Sequence, residues 1–133
     1  MDRNTQSESL PGCKAIFYHL AGDGVRYGLL PGGDSAGGEA QIAELVFPLD
    51  LDLEEGLRQQ AREAFALRAP RVEHRFVARP AADGWLYYLV EETDAAPATG
   101  RTLHWAPLAH WLPRLNQQDR KALVATVKFL QVG

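Results

Sequence analysis

The sequence predicts a single α/β domain, and three observations carry that expectation. One segment, residues 50–67, has helical periodicity from end to end. Two pairs of strand-like runs flank it, each pair joined by a short turn rich in glycine or proline. The chain has 133 residues, 46% of them apolar and 23% charged. That is an ordinary globular composition, long enough to bury a core without staples.

The elements follow in order. Residues 1–11 are polar and read as a loose tail, so the domain is expected to span 12–133. Residues 13–20 form an apolar and aromatic strand, with Cys13 as a small core residue. Ala21-Gly22-Asp23-Gly24 signals a turn, and residues 25–30 return as the second strand of a hairpin. The glycine-rich stretch 31–38 has no following lysine and lacks the phosphate-loop pattern, so it reads as a plain loop. Residues 41–47 are a third apolar strand, closed by Pro48.

The helix comes next. Leu53, Leu57, Ala61, Ala64 and Phe65 make its apolar stripe. Asp52 is expected at the N-cap, with Glu55 completing a capping box. Residues 71–79 alternate, with Val72, His74, Phe76 and Ala78 on one face and Arg71, Glu73, Arg75, Val77 and Arg79 on the other. A turn at 80–84 leads into strand 85–92, which carries Trp85, Tyr87 and Tyr88. After an alanine- and proline-rich loop, residues 102–105 suit a short edge strand and 107–112 a short helix with Pro107 in its first turn. Asn116 is expected to cap a last helix, whose buried stripe is Leu123, Val127 and Leu130 with Val124 beside them.

Composition excludes several functions. The net charge of −3, from 14 basic and 17 acidic residues, leaves no basic face for a nucleic-acid polymer. No apolar run is long enough to span a membrane, and no signal peptide is visible, so a cytoplasmic protein is expected. One cysteine excludes an internal disulfide. His19, His74, His104 and His110 show no i, i+4 metal spacing. No Ser, Cys or Thr sits in a nucleophile motif.

Hairpin, strand, helix, hairpin, short strand and terminal helices, in that order, resemble the Nudix superfamily. Particular residues carry the resemblance. Leu45-Val46-Phe47-Pro48 stands where that family has its apolar-proline entry to the Nudix box. Residues 57–67 overlay the second half of the box. His104-Trp105-Ala106-Pro107-Leu108 and Asp119-Arg120-Lys121-Ala122-Leu123 are similar to the closing tryptophan and terminal helix. The resemblance covers residues 12–131 and implies an α/β/α sandwich with a mixed sheet and hairpins. A second register, with Gly33 to Glu39 as the start of the box, would put Phe47-Pro48 in place of the arginine–glutamate pair and is set aside.

The chemistry-bearing positions depart from the family. The box arginine falls on Gln59 and its neighbouring glutamate on Gln60. Of the later glutamate pair, Glu63 remains and the second falls on Ala64; the following glycine is Ala66. The resemblance implies that box glutamates hold divalent metal against a diphosphate, and magnesium wants several oxygen ligands. Glutamine keeps the shape of glutamate without its charge, and alanine keeps neither. Glu63 is therefore the one candidate for both catalysis and metal ligation; its plain reading is a solvated helix residue paired with a neighbour. Gln59, Gln60, Arg75 and Tyr87 are the candidate ligand-binding residues; core packing is the plain reading of Tyr87 and a solvated face that of Arg75.

Three functions compete. The favoured one is a noncatalytic Nudix-like domain, with no cofactor, that binds a small nucleotide, a metabolite or a protein; a homodimer is compatible with it. The second is a divergent pyrophosphohydrolase acting on nucleoside diphosphate derivatives with Mg2+. The third is an α/β domain unrelated to Nudix proteins.

Overall fold

The computed structural model describes residues 13–22, 24–31, 39–46, 52–78, 86–94 and 103–132, and the side chains of all of these but 74–78 and 131–132. The expected tail, the glycine-rich stretch 32–38, Phe47, Pro48, Arg79, Trp85 and Thr102 lie outside the described residues.

The central strand is β1, Cys13–Ala21. Its side chains alternate between two cores. Cys13, Ala15 and Phe17 enter one, and Ile16 and Tyr18 the other. Burial on both faces explains why this run is apolar at most positions rather than at every second residue. β2, Gly24–Leu29, returns antiparallel, pairing Phe17 with Gly28 through Ala21 with Gly24. Gly24 sits at φ 141°, a conformation that side-chain-bearing residues rarely take. β3, Ala43–Leu45, pairs antiparallel with residues 13–15 of β1. β2 and β3 thus fork along one edge of β1, and the Leu30–Gln41 bridge closes the fork with hydrogen bonds of 2.9 and 3.0 Å.

The organising helix is α1, Leu53–Phe65. Asp52 takes the N-cap position, but its side chain makes no cap bond. The expected capping box does not form, because the Glu55 carboxylate turns to the Arg58 guanidinium one turn on. Gly56, Leu57 and Ala61 are buried, and Leu53 and Phe65 pack at the margin of the core. Ala64, expected on the stripe, is exposed. The last turn is anchored by Phe65 instead, whose ring meets that of Phe17 at 5.3 Å. Ala66 ends the helix in the left-handed conformation, φ 62° and ψ 27°. The Ala66 N–H bonds back to the Arg62 carbonyl, the single bond of a left-handed helix cap, and the Leu67 N–H reaches the Ala61 carbonyl.

β4, Pro70–Ala78, and β5, Leu86–Glu92, form the second antiparallel hairpin, and β5 runs parallel to β1. The alternation expected for 71–79 stops at Glu73. Pairing slips from Glu73–Leu89 to Val77–Tyr88, leaving 74–76 without ladder partners. Glu73, expected on a solvated face, is buried and lies 3.6 Å from Arg71.

β6, His104–Ala106, pairs with Tyr27–Leu29 of β2 at the sheet edge. Gly28 is needed here, since a Cβ on it would come within 2.8 Å of the Trp105 ring. α2, Leu108–Trp111, a 3-10 turn, Leu112–Arg114, and α3, Gln117–Val132, complete the chain. Asn116 caps α3 as expected, its Oδ1 accepting the Asp119 N–H at 2.8 Å.

The stripe of α3 is turned from the expected one. Asp119, Ala122, Leu123 and Thr126 are buried, Val127 and Leu130 are half-buried, and Val124 is exposed. Two polar residues displace valines from the core because the sheet offers them partners. Asp119 meets Lys14 and Tyr87, and the Thr126 hydroxyl bonds the Tyr27 hydroxyl at 2.9 Å. The strand order is β4-β5-β1-β2-β6 with β3 beside β1. α1 covers one face of this mixed sheet and α3 the other, so the architecture is the expected α/β/α sandwich.

Candidate functional site

The polar face of α1 is the first place to look for chemistry. Arg58 is held by Glu55 on one side and by Glu54 at 3.9 Å on the other. Gln59 donates to the Glu63 carboxylate at 3.2 Å, one turn along. Gln60 does something different. Its Oε1 accepts the Val46 N–H at 2.8 Å and its Nε2 donates to the Val46 carbonyl at 2.7 Å. The amide therefore acts as a short strand partner that ties α1 to the end of β3. Ala64 presents only a methyl group to solvent.

The structure brings Gln59 and Glu63 together but does not gather all the candidates. Gln60 is on the same helix and is occupied by backbone. Tyr87 is fully buried on the far face of β5, its hydroxyl donating to Asp119, so its ring meets the core rather than solvent. Arg75 falls in the slipped segment of β4, and its side chain is outside the description.

A divalent ion was tested against these donors. Magnesium needs near-octahedral oxygen ligation, usually from one or two carboxylates plus phosphate and water. α1 offers Glu63, already bonded by an amide, and two acids bound to Arg58. Among the described residues no group of three or more His, Cys, Asp or Glu side chains is placed to hold a metal. The described donor set does not fit the ion. His104 and His110 do approach, with ring centroids 5.4 Å apart. Burial, the Arg114 charge and the His104 charge all lower the pKa of His110. A guanidinium beside the pair opposes a cation there.

Sequence reading missed two buried polar centres. Lys14 donates to both Asp119 oxygens, at 3.0 and 3.2 Å, and the Ile42 N–H bonds Oδ2 at 3.3 Å. With Tyr87 at Oδ1, this carboxylate accepts four hydrogen bonds from three groups. The pKa of Tyr87 is pushed up, first by burial and then by the hydrogen bond and charge of Asp119. Lys14 was the available signal, a cation in an otherwise apolar strand. The second centre is Glu92, fully buried, which accepts the N–H groups of Arg68, Ala69 and Asp94. It clamps the exit from α1 to the end of β5.

A cavity of about 490 Å³ lies on the opposite face of the sheet from α1, between β2, the first turn of α2 and the second half of α3. No helix among the described residues is long and apolar enough to cross a membrane.

No protein-family model matches the chain, and no curated protein matches it in sequence. Solved structures do. The Ap4A hydrolase of C. elegans is 11% identical, with a TM-score of 0.66 over 91% of this chain and 98% of that one. The Nudix hydrolase RenU of M. smegmatis is 12% identical, with a TM-score of 0.65 over 92% of this chain and 86% of that one. The NUDIX domain of Shewanella oneidensis NrtR, solved in complex with ADP ribose, is 14% identical, with a TM-score of 0.56 over 96% and 94%. At these identities the likeness is one of fold. The chain has the Nudix fold.

Proposed function

We propose that this chain is a noncatalytic Nudix-fold domain that binds a small nucleotide or related metabolite without a divalent ion. The observation that carries this reading is the polar face of α1, where the groups that would grip a metal are absent or bonded to the protein itself. Gln60 is tied to Val46, Gln59 to Glu63, and position 64 is a methyl group. The structural neighbour complexed with ADP ribose supports a nucleotide-derived ligand for this scaffold. Gln59 and Arg75 are the residues proposed to meet it; Gln60 and Tyr87 serve the fold.

Melting-temperature screening and calorimetry with nucleotides and ADP-ribose, with and without Mg2+, test this. Binding that is indifferent to Mg2+ is expected. The competing reading, a divergent pyrophosphohydrolase, has one feature in its favour, since Glu63 is retained and exposed on the box helix. Phosphate release from nucleoside diphosphate derivatives that needs Mg2+ and disappears in Glu63→Gln would replace the proposal with that reading.

A further inference from the structure

Three basic side chains meet at the sheet edge, on the side away from α1. His104 stands on β6, where Ala106 shares its strand face and enters the core under α3, while Trp105 between them turns to the core under α1. His110 stands on α2, and Arg114 ends the 3-10 turn. The two imidazoles are 5.4 Å apart, and both lean on the indole of Trp111. His104 meets that ring at 5.7 Å and 81°, and His110 meets it at 4.8 Å and 84°. Trp111 is buried and pinned, its Nε1 donating to the Tyr27 carbonyl at 3.0 Å. Packing therefore sets the two imidazoles in place before any ligand arrives.

No acid balances this cluster. Between Asp94 and Asp119 the sequence has neither Asp nor Glu. Glu39 adjoins Ala40, whose N–H bonds the Arg114 carbonyl at 2.9 Å, yet among the described residues it forms no ion pair with Arg114. From α3, Arg120 adds another cation, bonded to the Leu112 and Leu115 carbonyls. The β2 residues paired with β6 are Tyr27, Gly28 and Leu29, of which only Tyr27 titrates, and its hydroxyl bonds Thr126. The side chains whose charge acts on His110 are Arg114 and His104, both basic, and each lowers its pKa. Arg114 uses one donor, Nη1, on the His110 carbonyl. Among the described residues nothing accepts from the rest of its fork, and nothing hydrogen-bonds either imidazole.

We propose that His104, His110 and Arg114 bind a tetrahedral dianion, the phosphoryl group of a small phosphomonoester or free phosphate. The guanidinium fork matches two phosphoryl oxygens, and imidazolium N–H groups add charge-assisted bonds. A carboxylate brings one charge to three basic groups, so a dianion is the better match. Binding is coupled to protons, because the imidazoles attract the anion only when charged. The cluster lies across the sheet from Glu63 and Gln59, so the inference goes beyond the α1 reading and holds whichever chemistry α1 has.

Imidazole resonances of the full chain, followed through a sulfate titration at fixed ionic strength, test it. Sulfate stays a dianion between about pH 5.5 and 8, so any pH dependence belongs to the protein. At the acid end both rings are expected to shift and to half-saturate at about 1 mM or below. Affinity should fall at least about tenfold by the alkaline end, and saturating sulfate should raise the His110 midpoint by about one pH unit, the reciprocal effect. Arg114→Gln should weaken binding at least about tenfold at either end, as for loss of a charge-assisted bond. His104→Gln should flatten the pH dependence. Inorganic phosphate and glycerol phosphate separate the sources: binding of both assigns the site to phosphoryl groups at large, and binding of phosphate alone assigns it to the free ion. The proposal is overturned if sulfate moves the rings no more than chloride at equal ionic strength, which would make it an adventitious ion only. It is also overturned if affinity is the same at both ends of the pH range or survives Arg114→Gln. The chloride control and the pH comparison use the unaltered protein, so they decide the matter even if Arg114→Gln unfolds.

Discussion

Ala66 holds a backbone conformation that costs a residue with a Cβ about 1–2 kcal/mol. Its neighbours enforce it, since the two cap bonds and the burial of Leu67 need the chain to reverse there. Ala66→Gly is therefore expected to stabilise the domain, by roughly 0.5–1 kcal/mol after the added freedom of the unfolded chain is subtracted. Urea unfolding at neutral pH measures it. Asp119 works in the opposite sense. It is wholly buried, and removing it takes away the carboxylate shared by the Lys14 ammonium, the Tyr87 hydroxyl and the Ile42 N–H. Asp119→Ala should cost roughly 3–5 kcal/mol, the range for breaking a buried pair. Lys14→Met should also destabilise. The double variant should cost less than the two singles added together, by about 1–3 kcal/mol.

At the scale of elements, α1 has two attachments of different kinds. Its apolar stripe binds it to the sheet through Leu57 and Ala61. Its Gln60 amide binds it to Val46, just past the end of β3, which is itself exposed. That amide is a structural clip. Gln60→Ala is expected to lower stability by about 1 kcal/mol, because both bonds are near solvent. The more specific readout is hydrogen exchange, where the Val46 amide should lose protection while core amides of β1 keep theirs. α3 shows how partners override pattern. Hydropathy favours Val124 and Val127 inside, but Asp119 and Thr126 are inside because Lys14, Tyr87 and Tyr27 wait on the sheet.

For the molecule as a whole, the two cores bury groups that must stay protonated. Burial pushes the Cys13 thiol from 9.0 to about 11. Burial, then the Glu91 charge, pushes the Tyr18 phenol from 10.0 to about 12. Tyr27 and Tyr87 are raised as well, with burial the largest cause. In each case the unfolded chain gives up its proton at a lower pH than the folded one. Their stabilisation is complete below pH 9 and is lost as pH rises, by roughly 1.4 kcal/mol per pH unit for each group within its window. Melting temperatures are expected to fall progressively between pH 9 and 11. Cys13→Ala should delay the onset, because the thiol titrates first.

The sequence by itself determined the element order, both hairpins, the central helix and the Asn116 cap; the sandwich they build was implied by the family resemblance. Each is a local matter of periodicity, turn chemistry or capping. It also determined that positions 59, 60 and 64 carry no carboxylate, since residue identity needs no coordinates. Only the tertiary structure decided where the polar groups point. Glu55 chose Arg58 over a capping box, Gln60 chose Val46, Glu73 went inside, and β6 stopped short of Arg26. The Glu55 outcome is a competition between two local partners, Arg58 and the helix N-terminus; the others are set by a partner distant in sequence or by a backbone slip or stop that no local pattern records. A polar side chain follows its nearest unsatisfied hydrogen-bonding group, and that group is placed by the fold.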